Sequence, residues 1–253
     1  MRRSPVFIPS GAEPRLSPLP GIKAVIFDVY GTLLLGGGPV YADAEADIEL
    51  TAFLADQGIR FDGSVTEALA DAVKRSHAAS TAAFPEVDLK ALWSEVLRQA
   101  IDKPLFIALE DIRQPVALMP GVRETLTALS HLPLGLISNA QANTIPTLER
   151  LTGLTDAFAP DLCILSYQYG EAKPAPALFD SLATALAIRG IQPAEALVVG
   201  NDPLHDISPA TSHGFHTALV MADHHSLRPG DPEMANAVVT DVRQIADLLA
   251  DGY

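Results

Sequence analysis

AVIFDVYGTLLLGGG, residues Ala24 to Gly38, is an apolar run that ends on a carboxylate and turns at once. Consecutive apolar residues without polar alternation describe a strand covered on both faces. Asp28 follows directly, and Gly31 and Thr32 close the turn. A strand-end Asp is commonly a helix cap or turn residue, so the rest of the chain decides whether this one does chemistry.

Five more runs of the same kind recur at Leu134–Ser138, Leu162–Leu165, Ala196–Val199, Thr217–Met221 and Ala237–Val239. Amphipathic segments separate most of them: Val122–Ser130, Thr144–Leu151, Ala175–Ile188 and Asp206–His213, with Val242–Ala250 closing the chain. Alternation of buried strand and helix predicts right-handed crossovers and a parallel sheet, an α/β Rossmann-like sandwich. The exception is the stretch from about Gly36 to Val116. There Tyr41–Gly58, Ser64–Ser80 and Asp88–Ile101 each repeat apolar residues at three and four spacing. Gly58 and Gly63 punctuate the first two segments, Pro85 precedes the third, and Pro104 follows it as a stop. The expectation is a catalytic core of residues 1–35 and 116–253 with an all-helical insertion at 36–115, hinged at Leu35 and the glycines after it.

The 253 residues and 48% hydrophobic content suffice for a packed core. A formal charge of −14 with no basic run repels phosphate backbones and anionic lipid, which excludes nucleic-acid and membrane-surface binding as the leading function. A small anionic substrate remains compatible, because cations inside a cleft can oppose the global field. Cys163 is the only cysteine, and the Pro-rich N-terminus has a basic start without an apolar stretch long enough for a signal peptide. A cytoplasmic address is the expectation.

In parallel sheets functional groups gather beyond the carboxyl ends of the strands. The first run delivers Asp28; the second delivers Ser138 and Asn139; the third is followed by Lys173 before Pro174; the fourth is followed by Asn201, Asp202 and Asp206. Each is unremarkable alone, as a cap, a turn former or a solvated surface residue. Together they bring a nucleophile, an oxygen ligand, a cation and an acidic cluster to one edge.

In that order and spacing the chain resembles the haloacid dehalogenase superfamily, in its helical-cap branch. The motifs are Asp28 to Leu33, Ile137 to Asn139, Lys173 to Pro176 and Gly200 to Asp206. The resemblance implies covalent catalysis, with Asp28 attacking the substrate to form an ester that water cleaves. It implies that Ser138 holds a substrate oxygen and that Lys173 pairs with Asp28 and the developing negative charge. It implies a Mg2+ ion held by Asp28, the backbone carbonyl of Tyr30 and Asp202, with Asn201 and Asp206 as further candidates. Backbone amides near Gly31 and Thr32, together with Asn139, are the expected substrate contacts.

Two departures leave the reaction open. Phosphatases of the superfamily usually carry a second Asp two places after the nucleophile, where this chain has Tyr30. A Tyr there is similar to the 2-haloacid dehalogenases, whose halide leaves without a proton. Against that branch, Asp202 and Asp206 are retained, Phe179 stands where a Tyr is expected, and no early cap Arg is evident, since Arg60 follows a helix end. The leading reading is a Mg2+-dependent phosphatase acting on a small phosphorylated metabolite with a good leaving group. The alternatives are a metal-free 2-haloacid dehalogenase-like hydrolase and a catalytically weak ligand-binding relative. His205 reads as completing a helix turn, His224 and His225 as loop residues, and Trp93 and Phe84 as insertion core.

Overall fold

The computed structural model describes residues 4–36 and 43–249. Strand β1 (Ala24–Phe27) is wholly buried and lies inside a parallel sheet. It pairs on one side with β4 (Leu134–Ser138), Val25 opposite Leu134, and on the other with β6 (Ala196–Gly200), Val25 opposite Leu197. Strand β5 (Cys163–Leu165) extends the sheet beyond β4, while β7 (His216–Val220) and β8 (Ala237–Val239) extend it beyond β6. The order is therefore β5-β4-β1-β6-β7-β8.

Successive residues of a strand face opposite sides, so the two faces of this sheet need two cores. Val25, Phe27, Leu134, Leu136, Leu197 and Val199 enter one of them, and Ala24, Ile26, Ile137, Ala196 and Val198 enter the other. Helices α5 (Val122–Ala128), α6 (Thr144–Thr152), α7 (Pro176–Ile188), α8 (Ser208–Ser212) and α9 (Gln244–Leu249) make up the helical layers. The N-terminal arm runs antiparallel to the outer strand, with Arg15 N donating to Val238 O at 2.8 Å, and this occupies an otherwise unpaired edge.

Two strands too short to leave a periodic signal, β2 (Leu34–Leu35) and β3 (Ala117–Leu118), pair antiparallel. The chain thus leaves and re-enters the α/β layers side by side. Leu35, expected to begin a hinge, is fixed opposite Ala117 in this ribbon; Gly37 and Gly38 lie outside the described residues. Between β2 and β3 stand four helices, α1 (Ala44–Asp56), α2 (Val65–Ala79), α3 (Leu89–Val96) and α4 (Lys103–Arg113), around a separate apolar core containing Trp93, Phe106 and Leu50.

The fourth of these helices corrects the reading of Pro104 as a stop. Asp102 caps α4, its Oδ1 accepting from Leu105 N at 2.9 Å, and Pro104 sits in the first turn, where its missing N–H is not needed. A second correction concerns the segment expected as a helix at Asp206–His213. Residues Pro203–Ile207 form a π-helical turn that leads into α8. Single π turns of this kind are frequent at functional sites.

Candidate active site

Asp28 leaves the end of β1 with its N–H donating to Val199 O at 2.7 Å, so the carboxylate emerges between β4 and β6. It is 5% exposed. Oδ1 accepts from Ser138 Oγ at 3.0 Å and from Lys173 Nζ at 2.7 Å, while Oδ2 accepts only a longer bond from Thr32 Oγ1 at 3.3 Å. One carboxylate oxygen is therefore held by two donors and the other is left nearly unengaged.

Lys173 is 4% exposed and uses all three of its donors. Besides Asp28, Nζ donates to Asp206 Oδ1 at 2.5 Å and to Ile137 O at 3.1 Å. Burial alone would lower the ammonium's pKa; the charges of Asp206 and Asp28 reverse that and hold it above its ordinary value. Asp206 is pushed up to about 6 by burial, against the opposing pull of Lys173. Its Oδ2 accepts from Asp202 N at 2.9 Å, so this carboxylate is enclosed by protein donors on both oxygens.

Asn139 was expected to touch substrate, and the structure gives its side chain another task. Its Oδ1 accepts from Lys173 N at 2.6 Å and its Nδ2 donates to Lys173 O at 3.3 Å, so it clamps the backbone of the loop carrying Lys173. The amides of Gly31 and Thr32 are likewise committed, to Leu34 O at 2.7 Å and Val29 O at 3.3 Å. Gly31 is needed for a different reason. It sits at φ +91, and a Cβ there would lie 2.4 Å from Asn201 Nδ2. Thr32 gives its hydroxyl to Asp28 Oδ2, while its amide is bonded within the turn.

Asn201 and Asp202 both line the space around Asp28, and their side chains are bonded differently. Asp202 is the cap of the π turn, its Oδ1 accepting from Leu204 N at 2.8 Å and His205 N at 3.1 Å, its Oδ2 lying 2.9 Å from His205 Nδ1. Those bonds hold its carboxyl below its usual value although burial opposes them. Asn201 instead lies against Gly31, with its Nδ2 donating to Ser226 O at 2.6 Å. Among the described residues no three of His, Cys, Asp and Glu are grouped as metal ligands. The oxygen-bearing side chains that share the cavity with Asp28 include those of Asn201 and Asp202. Magnesium accepts such a set, because it commonly takes one or two carboxylates and completes its octahedron with water and substrate oxygens.

Tyr30 has its hydroxyl 3.1 Å from Thr144 Oγ1, and burial pushes the phenol up to about 12. It is protonated throughout the neutral range and cannot serve as an acid of near-neutral pKa.

A cavity of about 410 Å³ gathers these groups: Asp28, Tyr30, Ser138, Asn139, Lys173, Asn201, Asp202 and Asp206 all line it, while Gly31 and Thr32 do not. The helices between β2 and β3 supply the opposite wall, with Glu110 and Arg113 from α4. These two are each 3% exposed and doubly bonded, Arg113 Nε to Glu110 Oε1 at 2.9 Å and Arg113 Nη2 to Glu110 Oε2 at 2.5 Å. Trp93 Nε1 donates to the same Glu110 Oε1 at 2.8 Å. Sequence reasoning missed both residues because it missed their helix; Asp102 before Pro104 was the available signal.

A buried carboxylate at a strand end, with a lysine and a serine on one of its oxygens and helices over a small cavity, forms the candidate active site of a hydrolase. A family model described as haloacid dehalogenase-like hydrolase matches residues 22–214, and the chain belongs to that family. The chain is 34% identical to the phosphoserine phosphatase of Thermus thermophilus over 117 residues, 45% of this chain and 43% of that protein. It is 33% identical to the ribulose-1,5-bisphosphate 5-phosphatase of Halopiger xanaduensis over 109 residues, 42% of this chain and 43% of that protein. These matches span less than half the length of the curated relatives. The crystal structure of a 2-haloacid dehalogenase from Pseudomonas syringae superposes with TM-score 0.65 at 26% identity, over 90% of this chain and 98% of that one. No helix among the described residues is long and apolar enough to cross a membrane.

Proposed function

We propose that this hydrolase is a magnesium-dependent phosphatase that works through an aspartyl-phosphate at Asp28, on a small phosphorylated metabolite with a good leaving group. The observation that carries the reading is the division of labour on the Asp28 carboxylate. Ser138 and Lys173 hold Oδ1, and Oδ2 keeps its electron density for attack. In the first step Oδ2 bonds to phosphorus while the bond to the leaving oxygen breaks, and that oxygen departs with the electron pair. In the second, water attacks the same phosphorus, the bond to Oδ2 breaks, and inorganic phosphate leaves with the carboxylate regenerated.

Asp28, the Tyr30 carbonyl and Asn201 are the groups that would hold magnesium, with Asp206 behind Lys173 and Asp202 kept as a cap. Bound there, the ion would neutralise the phosphoryl charge that otherwise repels the attacking carboxylate. Residues 1–35 and 116–253 form the catalytic part in this reading, and 36–115 the cap. The single thiol, Cys163, is buried and pushed up to about 11, so it takes no part in the chemistry of this reading.

Tyr30 sets the leaving-group preference. A phenol near 12 does not deliver a proton readily, so aryl phosphates, acyl phosphates and anhydrides are the expected substrates and simple alkyl phosphates the poor ones. The test is phosphate release from 4-nitrophenyl phosphate with and without a chelator, beside release from ethyl phosphate. Chelator-sensitive release that strongly favours the aryl ester supports the reading; equal rates with chemistry limiting overturn it. The same Tyr30 favours a second reading, hydrolytic dehalogenation of a short 2-halo acid. Chloride release from 2-chloropropionate that survives the chelator would select that one.

A further inference from the structure

Phe84, expected in the core of the insertion, is 41% exposed, and the segment it begins is engaged by its backbone instead. Residues 84–89 join α2 to α3, and Pro85, Glu86 and Leu89 line the Asp28 cavity from the cap side. Pro85 bridges antiparallel to Glu171, with Glu86 N donating to Gly170 O at 3.0 Å and Ala172 N donating to Phe84 O at 2.8 Å. Pro85 itself takes the non-hydrogen-bonded position of this bridge, so its missing N–H costs nothing. Residues 170–172 are the three that immediately precede Lys173.

The same segment is tied to the loop that follows β4. Gln141 Nε2 donates to Val87 O at 2.8 Å, and Gln141 Oε1 accepts from Leu89 N at 2.9 Å. Ser166 joins the three pieces: its Oγ accepts from Ala140 N at 2.9 Å and donates to Glu86 Oε2 at 2.6 Å. Ser166 is fully buried and does not line the cavity. The cap segment is therefore bonded to both core loops that carry the groups around Asp28, the one with Ser138 and Asn139 and the one with Lys173.

The lysine loop has little core of its own, since Gln168, Tyr169 and Gly170 are exposed. A segment of that kind stays in place through its backbone bonds. Asn139 grips it at Lys173, and the cap segment grips the residues before. We propose that residues 84–89 complete the clamp on the nucleophile from the cap side, and that Glu86 is a positioning residue which, through Ser166 and the paired backbone of 170–172, keeps Lys173 Nζ on Asp28 Oδ1. This goes beyond the phosphatase reading, because Lys173 holds Asp28 in the same way for either reaction. Displacing a reacting group by about 1 Å can cost about a hundredfold in rate, so a bond this far from the chemistry still acts on turnover.

The test reads Lys173 without any substrate. The full-length protein is acetylated with an amine-reactive ester, and the label on Lys173 is measured by peptide mass spectrometry against that on Lys23, whose side chain is 57% exposed. Glu86→Ala should raise the ratio of Lys173 to Lys23 label about tenfold, the worth of a lost hydrogen bond to a charged group. On 4-nitrophenyl phosphate it should lower kcat about 10- to 100-fold and leave KM within about threefold. Glu86→Gln keeps an oxygen that accepts from Ser166 and should stay within about threefold of the unsubstituted protein in both readouts. Ser166→Ala, at a position that does not line the cavity, should reproduce the labelling of Glu86→Ala, and the double variant should add nothing to either. Unchanged Lys173 labelling in Glu86→Ala and Ser166→Ala overturns the inference. So does a loss in Glu86→Gln as large as in Glu86→Ala, or a raised KM with kcat kept, which would make Glu86 a substrate contact. Should the variants fail to fold, amide exchange of the unsubstituted protein decides: slow exchange at Glu86 and Ala172 is expected, and exchange at the rate of an unbonded loop overturns the proposal. If 4-nitrophenyl phosphate is not turned over while the labelling result holds, the phosphatase reading falls and the role of Glu86 stands.

Discussion

Replacing Lys173 by Met removes the one cation that both buried carboxylates of the site share. In the folded enzyme Nζ lies 2.7 Å from Asp28 Oδ1 and 2.5 Å from Asp206 Oδ1, and all three residues are at most 5% exposed. With the charges centred about 4 Å apart and an effective dielectric near 20, each attraction is worth about 4 kcal/mol before desolvation is counted. Removing the lysine strands two carboxylates, and breaking a buried pair costs about 3–5 kcal/mol. Urea unfolding at pH 7.5 should therefore show Lys173→Met destabilised by about that amount. The double variant Lys173→Met with Asp206→Asn no longer opposes two like charges and should recover about half of the loss. Turnover should behave differently. The cation also offsets charge developing around Asp28, and about 4 kcal/mol corresponds to about a thousandfold in kcat/KM, which the second substitution does not restore. Full stability in the single variant, or activity returning together with stability in the double variant, would refute this account of Lys173.

Three further outcomes are expected. Tyr30→Asp places a carboxyl two residues after the nucleophile, and kcat/KM on ethyl phosphate should rise relative to 4-nitrophenyl phosphate by about a hundredfold; an unchanged ratio would mean that the Tyr30 position does not face the leaving oxygen. Asn201→Asp supplies a second carboxylate beside Asp28 and should lower the magnesium concentration for half-maximal activity about tenfold, whereas Asp202→Asn should change it little; the reverse order would return the metal to Asp202. Asp47 links α1 to α2 by accepting from Ser64 Oγ, Thr66 N and Thr66 Oγ1, and these bonds outweigh burial to hold its carboxyl below 3.8. A carboxyl lowered in the folded state stabilises above its unfolded value, and this is lost as pH falls through the folded one. Asp47→Asn should lower the urea midpoint at pH 7, and the gap to the unsubstituted protein should close below pH 4; a gap constant from pH 7 to 3 would contradict this.

The α/β layers were legible because each central strand is a continuous apolar run, and continuity is what burial on both faces demands. Asp28, Ser138 and Lys173 were legible for a related reason, since strand ends of a parallel sheet converge and only chemistry explains their joint composition. Helix α4 was lost to Pro104, whose meaning at a helix start is opposite to its meaning at an end, and Asp102 alone distinguishes the two. Strands β2 and β3 have two residues each, too few for any periodicity. Asn139 and Asp202 carry the side chains of ligands, but Asn139 is bonded to the backbone of Lys173 and Asp202 to the backbone of Leu204 and His205 and to the His205 ring. No local pattern announces those partners. Glu110 and Arg113, three apart on a helix, read from sequence as a solvated ion pair, and only the packing of the cap over the core reveals them as buried.

Those late-appearing residues bear on the question that Tyr30 raises. The hydroxyl of Tyr30 is anchored to Thr144, beneath a cap wall whose charges are already balanced within the Glu110 and Arg113 pair. Neither neighbour makes the phenol acidic, because burial is the dominant influence and it favours the protonated form. A group in that state can donate a hydrogen bond to a departing oxygen without surrendering its proton, which stabilises anions that are already stable. In the proposed reading, catalysis on such substrates requires little from Tyr30 and much from Lys173 and Ser138, whose grip on Asp28 Oδ1 is the same whether phosphorus or carbon is attacked. In the proposed reading this clamp on Asp28 serves either reaction, which fits a chain similar to both phosphatases and dehalogenases. What divides the two readings is whether a cation is held in the Asp28 cavity: Asp28, the Tyr30 carbonyl and Asn201 are the groups that would hold magnesium in the proposed phosphatase, where it would offset the charge of a phosphoryl dianion, whereas without it the carboxylate repels that dianion and an uncharged carbon centre is the easier target.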